Sequence, residues 1–113
     1  QTVATEPPAY IDALLKRLGD LQQTIILEPG RALVGNAGLL LTRVEYLKHS
    51  QRDFAIVDAA MNDLIRPALY DAYHDIVPVQ PHDTAGRRYE VVGPVCESAD
   101  FLGRERQLAL AEN

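Results

Sequence analysis

One amphipathic helix pattern followed by one continuous apolar run limits what this chain can become. In "PAYIDALLKRLGDL", from about Pro8 to Leu21, the residues Tyr10, Leu14, Leu18 and Leu21 recur at spacings of four and three, the repeat of a single helix face. Prolines stand at its start, where a missing N–H costs nothing. The next run, "TIILEPGR", is short, apolar and β-branched and stops at Pro29-Gly30, which predicts a buried strand ending in a tight turn. A helix and then a buried strand, with polar residues at the strand's C-terminal end, is the local order of an α/β layer or barrel. A parallel strand needs neighbours on its flanks and cover on both faces, and the rest of the sequence repeats no helix–strand unit. The chain is therefore expected to be a piece of a larger α/β assembly.

From Ala32 onward strand signals dominate. In "GLLLTRVEYLKH" the alternation places Leu41, Arg43, Glu45 and Leu47 on one face and Thr42, Val44 and Tyr46 on the other. "DFAIVDA" is a second β-type run, and "RRYEVVGPVCE" a third, cut by Gly93-Pro94 into two short pieces. Between them, "AAMNDLIRPALYDAYHDIVPVQP" is ambiguous: Pro67 disfavours helix at Arg66, whereas "ALYDAYH" tolerates a single turn. The last run, "GRERQLALAEN", shows neither a cap nor a closing strand. The expectation is a mainly β chain, of sandwich or barrel-like type, with one helix and one α/β-type strand ahead of it.

Composition narrows the function classes. With 113 residues, 47% hydrophobic and 24% charged, this is the size and make-up of one small domain. A net charge of -5 supplies no electrostatic footprint for nucleic acid or an anionic membrane. No run approaches the ~18 apolar residues of a membrane span, and "QTVATEPPAYID" lacks the layout of a signal peptide, so a cytoplasmic protein is expected. The single cysteine, Cys96, cannot form an internal disulfide or build a zinc cluster. It is a small buried hydrophobe, an intermolecular link or a reactive thiol, the first being the commonest case.

Three runs place reactive groups together. In "ILEPGR", a carboxylate (Glu28), the turn amides at Gly30 and a guanidinium (Arg31) gather at one strand end, a set able to hold an anion and a protonated ring together. The same residues also suit a structural turn with a surface ion pair. In "MNDLIRPALYDAYH", Arg66 and Tyr70 are four apart; on a helical turn they point the same way and would suit a carboxylate ligand, although such residues also commonly snorkel to solvent. In "PVCESADF", Cys96 and Glu97 are adjacent, beside Ser98 and Asp100. They share one side only if they sit on a turn, and the thiol could give or take a proton or act as a nucleophile. His49, His74 and His82 suggest no triad and are expected on solvated loops and strand ends. No metal site is indicated.

Taken together, "TIILEPGRALVGNAGLLLTRVEYLK", "FAIVDAAMNDLIRPALYDAYHDI" and "YEVVGPVCESADFLGRER" make the chain resemble the diaminopimelate decarboxylases, pyridoxal-phosphate enzymes of the alanine-racemase-like fold. "EPGR" alone would admit the related ornithine and arginine decarboxylases; "MNDLIRPALY" with "GPVCES" narrows the resemblance. It implies an enzyme with an N-terminal β/α barrel and a C-terminal β domain. Residues 1–31 would be the last part of the barrel and 32–113 an incomplete β domain, a C-terminal-half fragment.

The resemblance also implies that Glu28 faces the pyridine nitrogen of pyridoxal phosphate, with Pro29, Gly30 and Arg31 around the cofactor and Arg31 reaching the substrate. Arg66 and Tyr70 would hold the distal carboxylate of meso-diaminopimelate, Glu97 its distal ammonium, and Cys96 would donate the proton. L-lysine and carbon dioxide would be the products, in a homodimer whose active sites lie at the interface. Lys16 and Lys48, the two lysines, match no Schiff-base lysine motif, so this chain alone is expected to be inactive and to need the remaining part of the same enzyme. Ala60 and Ala99 stand where the resemblance leads one to expect glycine, a minor change unless those positions need positive φ. The rival readings are a decarboxylase of ornithine or another basic amino acid, and a non-catalytic stand-alone β module.

Overall fold

The computed structural model describes residues 5–81, 83 and 85–110. The backbone divides into two compact units, Gln1–Leu39 and Leu40–Asn113.

In the first unit, helix α1 spans Pro7–Leu18 with prolines in its first turn. Lys16 and Arg17 occupy the last turn, where they complement the negative end of the helix dipole. The helix stops three residues before the periodicity ran out, because Gly19 turns to φ 62 and gives its N–H to the Leu15 carbonyl, a backbone region that glycine enters without steric cost. Ile11, Leu14 and Leu18 form its half-buried stripe, so the expected face holds at Leu14 and Leu18 but not at Tyr10 or Leu21, which are exposed.

The buried strand expected in "TIILEPGR" is not present: residues 24–29 pair with no strand among the described residues. Ile25, Ile26 and Leu27 are 40%, 85% and 39% exposed. The residues have strand chemistry, but a strand exists only as a partner in a ladder, and the chain offers this segment none. A 3-10 turn at Gly30–Ala32 follows.

The second unit holds strands β1 (Val44–Lys48), β2 (Asp53–Val57), β3 (Arg87–Val92) and β4 (Phe101–Leu108), with helix α2 (Ile65–Tyr70) between β2 and β3. They form one mixed sheet in the order β1-β2-β3-β4, so the mainly β expectation is met by a single sheet. β1 and β2 are antiparallel, β2 and β3 parallel, β3 and β4 antiparallel. A parallel pair cannot be joined by a tight turn and needs a long crossover; here that connection carries α2 with Arg66 and Tyr70.

Alternation along the central strands builds the core. Ala55 and Val57 of β2 and Tyr89 and Val91 of β3 are buried, joined by Ala59, Leu102 and Leu108. Val44 and Leu47 of β1 both pack against this core, although strict alternation puts them on opposite faces. The reason is a bulge between Val44 and Tyr46, which inserts one extra residue and resets the pleat.

The absence of a closing strand after Asp100 is also corrected: β4, of eight residues, is the longest strand. Its centre, "GRER", carries charges and a residue at φ 50, Glu105. Charge and irregularity belong to an edge strand, which has to repel foreign strands, and they hide its β character from a propensity reading. The second half of "RRYEVVGPVCE" is a loop, not a strand.

Candidate functional site

Helix α2 brings the expected carboxylate-binding pair together. Pro67 is its third residue and is buried, so the proline sits where the helix lacks intrahelical N–H bonds anyway and removes none. Arg66 is therefore helical in spite of the following proline, a correction to its expected bias. The Arg66 guanidinium carbon lies 5.0 Å from the centre of the Tyr70 ring, a cation–π contact that orients the donor fork. Tyr70 is 64% exposed. Asp71 ends the helix at φ 49.

The approach to this helix is a tight turn fastened from two sides. Within it, the Ala60 N–H donates to Asp63 Oδ2 at 2.9 Å, and the Leu64 N–H donates to the Ala60 carbonyl at 3.2 Å. On the β1 side, the Thr42 hydroxyl and the Arg43 N–H donate to Asp58 Oδ1 at 2.6 and 2.8 Å, and the Ala59 N–H donates to Thr42 Oγ1 at 3.1 Å. The Thr42 hydrogen bond first, then that of the Arg43 N–H, holds the Asp58 carboxyl below its ordinary range.

The cysteine loop supplies the second group. Gly93 donates its N–H to the Asp100 carbonyl at 3.1 Å, and Asp100 donates its own to the Glu97 carbonyl at 3.0 Å. These closures make a loop of residues 93–100. Cys96 is exposed with a free thiol, which sets aside the buried-hydrophobe reading, and Glu97 beside it is exposed. Glu97 Oε1 accepts from the Ser98 hydroxyl at 3.1 Å and the Ala99 N–H at 3.2 Å, so its carboxylate is steered locally while staying open to solvent. The only non-glycine residues with positive φ among those described are Asp71 and Glu105, so alanine at positions 60 and 99 is unstrained.

Asp100 and Asp63 are the residues that sequence reasoning missed. Asp100 is 3% exposed; its Oδ1 accepts the Met61 N–H at 2.7 Å and its Oδ2 the Val95 N–H at 2.9 Å. The available signals were an aspartate four residues after the cysteine and another just ahead of an apolar helix, both positions where short carboxylates cap backbone N–H groups.

In the first unit, Glu28, Pro29, Gly30 and Arg31 lie together on the exposed turn. Gly30 has φ 56, and nothing lies within 4 Å of where a Cβ would stand, leaving the turn's backbone open to a ligand. A carboxylate, an open backbone turn and a guanidinium form a donor set that fits a protonated ring nitrogen and a phosphate, and so fits pyridoxal phosphate. Lys16 lies on α1 and Lys48 at the end of β1, both exposed.

Of the histidines, His49 follows β1 and its Nδ1 lies 3.0 Å from Asp53 Oδ1 and 3.1 Å from Arg87 Nη1. His74 is half-buried, with Nε2 shielded from water. His82 lies outside the described residues. No group of three or more metal-ligating side chains occurs among the described residues, and no helix among them is long and apolar enough to cross a membrane.

Comparison with known proteins adds the family context. The family model for the pyridoxal-dependent decarboxylase C-terminal sheet domain matches residues 9–113. Diaminopimelate decarboxylase of Pseudomonas aeruginosa is 60% identical over 111 residues, which make up 95% of this chain and 27% of that protein. Its counterpart in Vibrio cholerae is 55% identical over 111 residues, 95% of this chain and 26% of that one. The crystal structure of diaminopimelate decarboxylase from Helicobacter pylori complexed with L-lysine matches with a TM-score of 0.86 at 41% identity, covering 99% of this chain and 28% of that one. The chain thus spans about a quarter of the length of these relatives.

Proposed function

This chain belongs to the family of pyridoxal-dependent decarboxylases that carry the C-terminal sheet domain, and we propose that it is the sheet-domain part of an enzyme converting meso-2,6-diaminopimelate to L-lysine and carbon dioxide. The observation that carries this reading is the pairing of Arg66 and Tyr70 on one helix face, on a segment tied through Asp100 to the loop of Cys96 and Glu97. The relatives named diaminopimelate decarboxylase support it, as does the lysine held by the Helicobacter pylori enzyme.

The substrate is zwitterionic at both ends, and the reaction removes carbon dioxide from one end while the other is held. Arg66 and Tyr70 bind the distal carboxylate through a guanidinium fork and a phenol, and Glu97 pairs with the distal ammonium. This two-sided clamp discriminates against a plain diamine, which would leave the guanidinium facing a cation. Cys96 delivers a proton from its thiol to the carbon that has lost carbon dioxide. Glu28 would hold the cofactor's ring nitrogen and Gly30 and Arg31 its phosphate, with Arg31 also reaching the substrate. Pyridoxal phosphate, when bound, supplies the electron sink for the decarboxylation.

In this reading residues 1–31 close the β/α barrel and 32–113 belong to the sheet domain. The active enzyme is a cytoplasmic homodimer in which Cys96 and Glu97 serve the site of the other subunit. The segment by itself does not turn over substrate, since neither lysine lies in a setting suited to anchor the cofactor.

The test is an assay of a protein of the relatives' full length carrying this segment, with pyridoxal phosphate and meso-diaminopimelate. Release of L-lysine and carbon dioxide is expected, and Arg66→Ala should raise KM at least about tenfold for the loss of a charge-assisted bidentate contact. Cofactor bound without lysine formed, or an unchanged KM in the variant, would overturn the reading.

A further inference from the structure

We propose that Asp100 is a positioning residue: it holds the Cys96–Glu97 loop in fixed register with the Arg66–Tyr70 helix. The inference rests on the functional reading above for what those four residues do, but its geometry stands by itself.

The buried charged side chains among the described residues are Glu90 and Asp100. Their settings differ. Glu90 lies against groups of the sheet, with Arg52 Nη1 3.6 Å and the Glu105 N–H 3.4 Å away. Asp100 instead takes backbone N–H groups from two loops. Met61 and Asp100 are 39 residues apart in sequence, and they meet at 2.7 Å. Met61 opens the turn that runs directly into α2, and Val95, held at 2.9 Å, is the residue before Cys96. One carboxylate therefore fastens the turn that leads into the helix of Arg66 and Tyr70 to the residue before Cys96, and in the proposed dimer those two groups serve two different sites.

A carboxylate suits this joint for a chemical reason. It offers two acceptor oxygens and no donor, so each oxygen can accept from one of the two N–H groups. An amide can satisfy only one of them and turns an N–H toward the other. Burial makes that mismatch costly, because an unmet backbone N–H has no water to fall back on. The space around the joint is equally committed. A Cβ on Gly93 would collide with Asp100 Oδ2, and would stand 2.7 Å from the Ala59 carbonyl oxygen and 2.8 Å from the Ala60 Cα. Glycine is needed at 93 so that the carboxylate can lie against the turn at 59–61.

The experiment uses the full-length protein carrying this segment, compared with its Asp100→Asn variant. Three quantities are read: amide hydrogen exchange at Met61 and Val95, the rate of Cys96 alkylation by iodoacetamide followed on its own peptide, and kcat and KM for lysine formation. The substitution should speed exchange at both amides at least about tenfold, change the alkylation rate several-fold, and lower kcat by about ten- to a hundredfold with a smaller change in KM. Exchange at Ala55 and Val91 in the core should stay as it was, a pattern that loss of global structure would not give. A folded variant with unchanged exchange at Met61 and Val95 and unchanged Cys96 alkylation would overturn the proposal. Should the variant fail to fold, the unsubstituted protein still decides, because Met61 and Val95 are expected to exchange slowly and at matched rates, and fast exchange at either one sinks the idea. Should the unsubstituted protein make no lysine, the functional reading fails while exchange and alkylation still judge the joint.

Discussion

The two groups of candidate residues, one in each unit, are supported in opposite ways. Around Arg66, Tyr70, Cys96 and Glu97 the chain supplies its own scaffold: a buried sheet core, a turn pinned by Asp63 and Asp58, and the buried carboxylate of Asp100. The turn of Glu28 to Arg31 has no such backing, since its unit contains no buried side chain among the described residues, and the apolar run leading to it faces solvent. Groups that must hold a substrate in one geometry need rotamers and backbone fixed by a supporting shell. The sheet unit contains that shell for its own residues, whereas the first unit holds its proposed cofactor-binding turn on a segment without one.

The largest test of that contrast lies in the core of the sheet unit. Leu102 is 4% exposed within the buried cluster. Leu102→Ala should cost about 2–5 kcal/mol, the transfer term plus a cavity, read from the urea midpoint of unfolding. A cost below about 1 kcal/mol would mean that this core is not packed as described.

Next in size is Gly93→Ala. The added methyl meets backbone atoms of Ala59 and Ala60 as well as the Asp100 carboxylate, none of them the free end of a flexible side chain. Overpacking of this kind costs about 1–3 kcal/mol. The loop should give way before the sheet does, so Cys96 alkylation should change while exchange in β2 and β3 is preserved. Loss of both together would put the loop and the sheet in one cooperative unit.

How much of this was legible in the sequence follows from what each feature depends on. The helix of α1, the β-type runs that become β2 and β3 and the spacing of Arg66 and Tyr70 depend on neighbours within a few residues, and local pattern carries them. β4 was missed because edge strands are built to look unlike strands, with "GRER" at its centre. The strand expected at residues 24–28 was assigned on chemistry that is real, but pairing is a property of partners, not of the run itself. The face assignment in β1 failed on a single bulge. Asp100 was visible as a neighbour of Cys96, yet its role depends on Met61, 39 residues away, and no local pattern encodes that meeting. The candidate site residues were thus easier to find than the residues that hold their segments in place.

Asp58 gives a smaller effect, read against pH. Its folded-state pKa lies below the ordinary value of 3.8 through the Thr42 and Arg43 hydrogen bonds. The unfolded chain therefore binds the proton more readily. The contribution of Asp58 to stability is fully present above the unfolded pKa and is lost as pH falls through the folded one. Between about pH 5 and pH 2, stability should fall less steeply in Asp58→Asn than in the unsubstituted chain. Equal slopes would mean that the clasp on the β1 side of the turn contributes nothing to fastening it.

The smallest expected change bears most directly on the first unit. Ile26 is 85% exposed, so in the 113-residue chain Ile26→Ala should shift stability by less than about 0.5 kcal/mol, as exposed substitutions do. In a protein of the relatives' full length the proposed barrel supplies strands on either side of this segment and helices over its face, and the same change removes buried apolar volume. There it should cost about 2 kcal/mol or more. The difference between the two measurements is the quantity of interest, because composition, sequence neighbours and chemistry are identical in both. Equal, near-zero costs would mean that residues 24–28 are a surface linker, and Glu28, Gly30 and Arg31 would then have no rigid strand end from which to meet a cofactor.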